Sequence, residues 1–243
     1  MNKPQLFLLH FAGGNSYSFD FIKPYLQDFE VIQLELPGRG RRLKESLIFD
    51  FYEAADDMYS QIISKLTNSQ LFIYGHSMGA YLALRVVCML ENAGIKVSYL
   101  IVSGNPGPGI EPSVKRAKLE PEEFRAELKK IGGIPDEVLL NSDLMNFYEP
   151  ILRADFQISE ESDLSGILPV DTPLYALMGS EEEGIEDINN WAKFTNVDFR
   201  YKILKGNHFF IHQCVMEVVY IFRRCKEFWP PYSRISKPFS QVK

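Results

Sequence analysis

Short apolar runs bounded by turn residues alternate along this chain with longer segments in which apolar residues recur at helical spacing. A short apolar run predicts a buried strand, and recurrence every three or four residues predicts a helix with one buried face. The predicted strands are residues 6–10, 30–36, 71–74, 99–102, 174–178 and 199–204, and the predicted helices include residues 51–66, 80–92 and 212–228. This alternation is typical of the α/β class, in which helices flank a mostly parallel central sheet and functional loops follow the carboxyl ends of the strands.

The stretch at about residues 110–169 departs from this alternation, because it contains helical patterns but no convincing strand. Pro121, with acidic residues after it, indicates one helix start. A second helix is predicted at residues 144–158, with a kink at Pro150. An all-helical insertion of this length is typical of a lid, and the alternative is a pair of ordinary crossover helices. We predict a single domain over residues 1–243 with a lid insertion at about residues 110–169.

Composition and charge narrow the class of function. The chain has 243 residues, 46% of them hydrophobic and 24% charged, which is enough to bury the core of one α/β domain. A net charge of −6 argues against a nucleic-acid-binding protein, and no apolar run approaches the length of a membrane span. Three scattered cysteines without a CxxC pair indicate a reducing cytoplasm and argue against disulfides or a cysteine-rich zinc site. We therefore expect a cytoplasmic protein that binds no nucleic acid, membrane or metal.

The pentapeptide GHSMG at residues 75–79 matches the G-x-S-x-G turn that presents a nucleophilic serine. It lies between the predicted strand at 71–74 and the predicted helix at 80–92, which is the context this turn requires. Glycines two residues before and after the serine avoid clashes in a strained strand-to-helix turn. We predict that Ser77 is a nucleophile, and the alternative is a serine that only caps the helix.

A serine nucleophile needs a base, and elimination among four histidines favours His208. His208 follows the last predicted strand, where the chain order of serine, acid and histidine places the base. His10 comes too early in the chain, His76 adjoins the serine and points elsewhere, and His212 falls within the terminal helix pattern.

The acid that orients the histidine is expected in the loop after the strand at 174–178. Five carboxylates compete there: Glu181, Glu182, Glu183, Glu186 and Asp187. Proximity to the strand end favours residues 181–183 over Asp187, and the residues alone leave the choice open.

Acyl transfer also needs two hydrogen-bond donors for the developing oxyanion. The backbone N–H of Met78 is one candidate, because it follows the nucleophile. The backbone N–H of Ala12 is the second, because Gly13 and Gly14 after the first strand allow a close approach of the backbone. We expect Phe11 and Gly13 to line the substrate site, and the alternative for this loop is a purely structural glycine turn.

Six short motifs follow one another along the chain: AGG at 12–14, LPGRGRR at 36–42, GHSMGA at 75–80, VSG at 102–104, LRAD at 152–155 and GNHFF at 206–210. Through these motifs the chain resembles the type II thioesterases of polyketide and nonribosomal peptide synthesis, and the related medium-chain thioesterase of fatty acid synthesis. The resemblance implies an α/β-hydrolase fold with a helical lid and no cofactor. It implies hydrolysis of acyl groups from the phosphopantetheine arm of acyl or peptidyl carrier proteins, which edits or releases chains, by a monomeric enzyme.

The resemblance also bears on single residues. Counting from Gly179 puts Glu182 at the position of the family's aspartate, in a loop that lacks the family's proline and is about two residues shorter. Phe11 stands where the family has histidine or tyrosine. Carrier proteins are generally acidic, so the basic runs at residues 39–44 and 115–118 are candidate docking sites.

Three alternatives stay open at this level. A general small-molecule carboxylesterase would use the same serine machinery, and only the LPGRG and LRAD segments favour the thioesterase over it. A catalytically impaired hydrolase used as a binding partner is favoured by the altered acid loop. An acyltransferase would differ only in the acceptor that replaces water.

Overall fold

A six-stranded, entirely parallel sheet forms the centre of the computed structural model, which describes residues 3–110, 112–164 and 166–227. The strands are β1 (Gln5–Leu9), β2 (Glu30–Gln33), β3 (Leu71–His76), β4 (Tyr99–Ser103), β5 (Leu174–Gly179) and β6 (Phe199–Leu204). Their order across the sheet is β2-β1-β3-β4-β5-β6. All six predicted strands are confirmed, but β2 is shorter than predicted and ends at Gln33, which pairs with Leu8 of β1.

The chain crosses from one side of β1 to the other, since β2 and β3 pair with opposite edges of that strand. Such a reversal leaves a crevice at the carboxyl ends of the two central strands, which is the usual ligand site of an open α/β sheet. The loop after β1 and the turn after β3 meet at this crevice, and they carry the AGG and GHSMG motifs.

Helices cover both faces of the sheet, and alternate residues of each strand pack against them. The helices are α1 (Phe51–Lys65), α2 (Met78–Asn92), α3 (Pro121–Ile131), α4 (Asp136–Leu139), α5 (Ser142–Glu160), α6 (Phe210–Gln213) and α7 (Val215–Glu227). In β1, Phe7 and Leu9 join the core formed with α1 and α2, whereas Leu6 and Leu8 join the core formed with α7. Burial on both faces explains why the inner strands β1, β3 and β4 are buried throughout, whereas the edge strands β2 and β6 carry exposed polar residues.

The single terminal helix predicted at residues 212–228 is wrong, because the structure has two helices, α6 and α7. Cys214 separates them with non-helical backbone angles (φ −105°, ψ 37°). Its sulfur lies 3.3 Å from the carbonyl oxygen of Lys205. Phe228 lies outside the described residues.

Helices α3, α4 and α5 lie between β4 and β5, where the described part of residues 110–169 contains no strand. They share a small apolar cluster built on Phe124, Leu128, Leu139, Met145 and Leu152. Helix α5 continues through Pro150. Its last turns reach the main core, where Ile158 packs with α1 and α2.

Candidate active site

The backbone at Ser77 is strained in the way a nucleophile turn requires. Ser77 has φ 57° and ψ −120°, and it is the only non-glycine residue with positive φ in the described ranges. Its N–H donates to the carbonyl of Ser103 at 2.7 Å, and its carbonyl accepts the side-chain amide of Asn105 at 2.8 Å. Such a conformation persists only where surrounding contacts hold it, and it recurs at functional sites.

The two glycines of the GHSMG turn are required by close backbone contacts. A Cβ atom on Gly75 would lie 1.9 Å from the carbonyl oxygen of Gly79. A Cβ on Gly79 would lie 2.3 Å from the carbonyl oxygen of Leu9 in β1. Both contacts are with backbone atoms, which cannot rotate aside as the end of a flexible side chain can, so a side chain at either position would displace the turn that presents Ser77.

Glu182 is the carboxylate that the structure brings to His208. Its Oε2 lies 2.7 Å from Nδ1 of His208, and its Oε1 accepts the backbone N–H of Gly179 at 2.7 Å. The Glu182 side chain is 5% exposed, whereas the other four carboxylates of the loop are solvent-exposed residues. A carboxylate at this nitrogen holds the proton on Nδ1 and leaves Nε2 as the acceptor nitrogen.

His76 is buried behind His208 and does not line the cavity described below. Its ring centre lies 5.0 Å from that of His208. Its Nδ1 is 2.7 Å from Oγ of Ser103, which is 2.7 Å from the Tyr74 hydroxyl. Burial, reinforced by the nearby histidines, holds the pKa of His76 well below its ordinary value. The sequence did not single out Tyr74 and Ser103, although Ser103 belongs to the VSG motif.

The loop after β1 turns at Gly13, which has φ +76°. Ala12 in this loop lines the same cavity as Ser77 and His208. The N–H of Gly13 donates to Oδ2 of Asp155 at 2.7 Å, so that amide is already occupied. Met78 is the first residue of α2, where a backbone N–H has no intrahelical acceptor.

The cavity at the crevice has a volume of about 780 Å³, in the range of small-molecule sites. Six of the residues predicted for the site line it: Phe11, Ala12, Gly13, Ser77, Glu182 and His208. Met78 does not, since its side chain points into the core. One wall is apolar and comes from residues 131–156, including Ile131, Ile134, Val138, Met145, Leu152 and Phe156.

The LPGRG and LRAD motifs meet in a buried ion pair. Arg39 is 3% exposed and Asp155 is fully buried. Nη2 of Arg39 donates to Oδ1 of Asp155 at 2.8 Å, and its Nη1 donates to Oδ2. The expectation that Arg39 contributes to a docking surface is wrong, because its charge is enclosed. The sequence missed this role, and the only available signal was that both motifs belong to the resemblance.

Two further arginines of the first basic run are also partnered. Arg42 is only partly exposed, and it binds the carboxylates of Glu45 and Asp57. Arg41 lies over the ring of Tyr17 at 5.2 Å. This run therefore offers less free positive charge than its sequence indicates.

The arrangement of the described residues also bears on metal binding and on membrane insertion. Among the described residues, no group of three or more histidine, cysteine, aspartate or glutamate side chains is arranged to hold a metal ion. No helix within those residues has the length and apolar character needed to cross a membrane. The three cysteines are unpaired and buried.

Comparisons with known proteins agree with this geometry. The gramicidin S biosynthesis protein GrsT of Aneurinibacillus migulanus is 27% identical over 222 residues, which cover 89% of this chain and 86% of that protein. The medium-chain S-acyl fatty acid synthase thioesterase of Rattus norvegicus is 28% identical over 216 residues, 85% of this chain and 81% of that protein. The structure of YbtT, a type II thioesterase from the yersiniabactin NRPS/PKS pathway, has a TM-score of 0.84 at 26% identity over 94% of each chain.

The match to a family model is nearly end to end. The model of the thioesterase domain covers residues 4–228, which include the GHSMG turn, the Glu182 loop and His208. The alignment with the solved relative likewise spans 94% of this chain. The chain therefore belongs to the thioesterase domain family and has its α/β-hydrolase fold.

Proposed function

We propose that this chain hydrolyses acyl thioesters on the phosphopantetheine arm of acyl or peptidyl carrier proteins, with Ser77, His208 and Glu182 as its catalytic triad. The observation that carries the proposal is that a strained serine turn and a carboxylate-bound histidine line one cavity. Family membership supports a thioester as the substrate. The relatives named for gramicidin S and yersiniabactin biosynthesis support polyketide or nonribosomal peptide synthesis as the setting, with editing or release of chains as the task.

The first half of the reaction forms an acyl-enzyme. Nε2 of His208 takes the hydroxyl proton of Ser77 as Oγ bonds to the thioester carbonyl carbon. The carbonyl electron pair moves onto oxygen, and the N–H groups of Ala12 and Met78 donate hydrogen bonds to the resulting oxyanion. The C–S bond then breaks, and His208 gives its proton to the departing pantetheine thiolate.

The second half hydrolyses the acyl-enzyme. His208 takes a proton from water as the water oxygen attacks the acyl carbon. The N–H groups of Ala12 and Met78 donate hydrogen bonds to the second oxyanion as well. The bond from carbon to Oγ breaks, Ser77 regains a proton from His208, and the carboxylic acid leaves. Glu182 stays ionised throughout and stabilises the imidazolium that forms in each half.

The cavity wall supports an acyl chain as the bound group. Met145, Leu152 and Phe156 of α5 and Leu128 of α3 face the cavity beside Ser77. Burial of apolar chain against such side chains is favourable by roughly 25 cal/mol per Å² of area removed from water. In this proposal residues 110–169 are the lid of a single domain, because their helices form that wall.

The macromolecular partner in this proposal is a phosphopantetheinylated carrier protein, and the enzyme acts as a cytoplasmic monomer. The arm enters the open side of the cavity, which brings its terminal thioester to Ser77. Each predicted basic run keeps an exposed cation. Lys44 is exposed in the first run, and the Lys118 side chain in the second is 78% exposed although its Nζ pairs with Glu161 at 3.2 Å. Lys118 is therefore a better candidate contact for an acidic carrier than Arg39.

The test compares wild type and Ser77→Ala on one acyl group presented on a carrier protein, on coenzyme A and on a nitrophenyl ester. We expect at least tenfold higher kcat/KM for the carrier-bound thioester, and loss of at least ~1000-fold in Ser77→Ala. Ser64→Ala is the control, because Ser64 is exposed on α1 and its hydroxyl donates only to the Gln61 carbonyl.

Each alternative has its own outcome. Equal or faster turnover of the nitrophenyl ester would replace this proposal with a general carboxylesterase. Transfer of the acyl group to an added alcohol or amine in preference to water would indicate an acyltransferase. Absence of Ser77-dependent turnover on all three substrates would indicate a catalytically impaired binding partner.

A further inference from the structure

Buried side chains hold the backbone on both sides of Ala12. The Phe11 carbonyl accepts hydrogen bonds from the Gly14 N–H at 2.9 Å and from Nδ1 of His10 at 2.8 Å. The Gly13 N–H donates to Asp155 at 2.7 Å. Ala12 lies between these two groups, and its own N–H has no protein acceptor in the described part of the chain.

The contacts of His10 determine which of its nitrogens carries the proton. His10 is fully buried, and its Nε2 lies 3.2 Å from the backbone nitrogen of Leu36. A backbone N–H only donates, so Nε2 is the acceptor and Nδ1 carries the proton. His10 therefore donates a directed hydrogen bond to the Phe11 carbonyl.

Peptide geometry transmits this hydrogen bond to Ala12. The Phe11 carbonyl and the Ala12 N–H belong to one planar trans peptide group, in which they point in opposite directions. Holding the carbonyl with His10 and Gly14 therefore sets the direction of the Ala12 N–H. Asp155 holds the next peptide group, so the Ala12 N–H turns away only if a buried hydrogen bond breaks.

Arg39 is the ion-pair partner that balances Asp155 in this position. Asp155 lies on α5 and has no solvent contact, so its charge needs a partner. Arg39 supplies two hydrogen bonds to it. The ion pair thus connects the LPGRG segment, the loop after β1 and a helix of residues 110–169.

We propose that His10 and Asp155 are positioning residues that orient the Ala12 N–H toward the oxyanion, and that Arg39 holds Asp155 in place. This inference rests on the proposed function, in which Ala12 receives the oxyanion. Neither side chain contacts the reacting atoms in this assignment. Each acts through the backbone, and each effect should appear in kcat rather than in KM.

Two substitutions at His10 separate its two hydrogen bonds. In His10→Asn the amide nitrogen occupies the place of Nδ1 and keeps the donor to the Phe11 carbonyl. In His10→Gln the longer side chain places its amide oxygen where Nε2 lies. The Leu36 N–H then keeps an acceptor, but the Phe11 carbonyl loses the donor that His10 supplied. We expect kcat about 10- to 100-fold lower in His10→Gln than in His10→Asn, with KM within about twofold.

Two double variants test Asp155 without leaving a buried charge unpaired. Arg39→Met with Asp155→Asn keeps an acceptor for the Gly13 N–H, and Arg39→Met with Asp155→Leu removes it. We expect kcat about tenfold lower or more in the leucine variant. Arg42→Met with Asp57→Leu is the matched control, because this pair is also bidentate (2.7 and 2.9 Å) and neither residue lines the cavity.

The measurement is kcat and KM for an acyl-coenzyme A thioester and a nitrophenyl ester, together with inhibition by an alkyl trifluoromethyl ketone, whose serine adduct places an oxyanion in the same site. Parallel losses in kcat and in ketone affinity support the inference. Equal kcat within either variant pair, or losses confined to KM, overturn it. If the wild-type enzyme shows no preference for the carrier-bound thioester, the proposed substrate is overturned. The rates of the variants on the nitrophenyl ester would still decide the role of His10 and Asp155.

Discussion

Replacement of Glu182 by glutamine is the most direct test of the proposed triad. Glu182 accepts two hydrogen bonds, from Nδ1 of His208 at 2.7 Å and from the Gly179 N–H at 2.7 Å. The side-chain amide of glutamine has one oxygen and one NH2 group. Only one of the two donors, His208 Nδ1–H or the Gly179 N–H, can still face an oxygen, and the other faces the NH2 group. If the oxygen keeps the Gly179 N–H, the NH2 group faces His208 and requires Nδ1 to be the acceptor. The proton then moves to Nε2, where the base must accept the proton of Ser77.

The expected loss in kcat is about 10²- to 10⁴-fold, or roughly 3–5 kcal/mol of transition-state stabilisation. Glu182→Asp keeps the charge but shortens the side chain by ~1.5 Å, which stretches the bond to His208 to roughly 4 Å and breaks it. We therefore expect an intermediate loss of about 10- to 100-fold in that variant. KM should stay within about twofold in both, because the acid acts on the transition state.

The assay follows thiol release from an acyl-coenzyme A substrate, with thermal unfolding to confirm that each variant is folded. Asp198→Asn is the control, since Asp198 is a half-exposed carboxylate paired with Arg200 at 2.8 Å. Retention of more than a tenth of wild-type kcat in Glu182→Gln would refute the assignment of this carboxylate to the triad. An equal loss in Asp198→Asn would show that the effect is not specific to the His208 contact.

Three further predictions concern stability. A Cβ on Gly79 would lie 2.3 Å from the carbonyl oxygen of Leu9. Gly79→Ala should therefore lower the free energy of unfolding, measured by urea titration, by about 2 kcal/mol or more. An unchanged free energy of unfolding would show that the turn relaxes around the added methyl group. Arg39→Met leaves the carboxylate of Asp155 buried without its partner and should cost about 3–5 kcal/mol in the same assay, whereas a cost below about 1 kcal/mol would mean that the carboxylate finds another partner. Burial lowers the pKa of His10 from 6.5 to about 4, so between these values the unfolded chain binds the extra proton and the free energy of unfolding falls as the pH falls, by about 3 kcal/mol in all. His10→Asn should remove that part of the pH dependence, and an unchanged slope between pH 6.5 and 4 would contradict the assignment.

Glu182 shows where inference from the sequence reached its limit. Five carboxylates fall within seven residues, and spacing along the chain does not separate them. The choice depends on how the chain leaves β5, because the Gly179 N–H binds one oxygen of Glu182 and turns the other toward His208. From the sequence alone, only counting against the resemblance points to Glu182.

Arg39 illustrates a second limit. Its neighbours Arg41, Arg42 and Lys44 make the segment read as a solvated basic run, yet Arg39 is buried. Its partner Asp155 is 116 residues away, so no local pattern connects the two. Hydropathy describes how strongly an isolated side chain prefers water to the protein interior. A buried counter-ion such as Asp155 allows the charged side chain to be buried in spite of that preference.

What the sequence by itself determined is the local and ordered part of the protein. It predicted six strands, the α/β class, the serine turn with its two glycines, and the order of serine, acid and histidine. These features follow from short-range sterics and from hydrophobic periodicity, which act between residues close in the chain. The tertiary structure decided which carboxylate meets His208, which arginine is buried, and how His10 and Asp155 hold the backbone at Ala12. Those outcomes depend on contacts between residues far apart in the chain, and packing of the whole sheet and its helices is what brings such residues together.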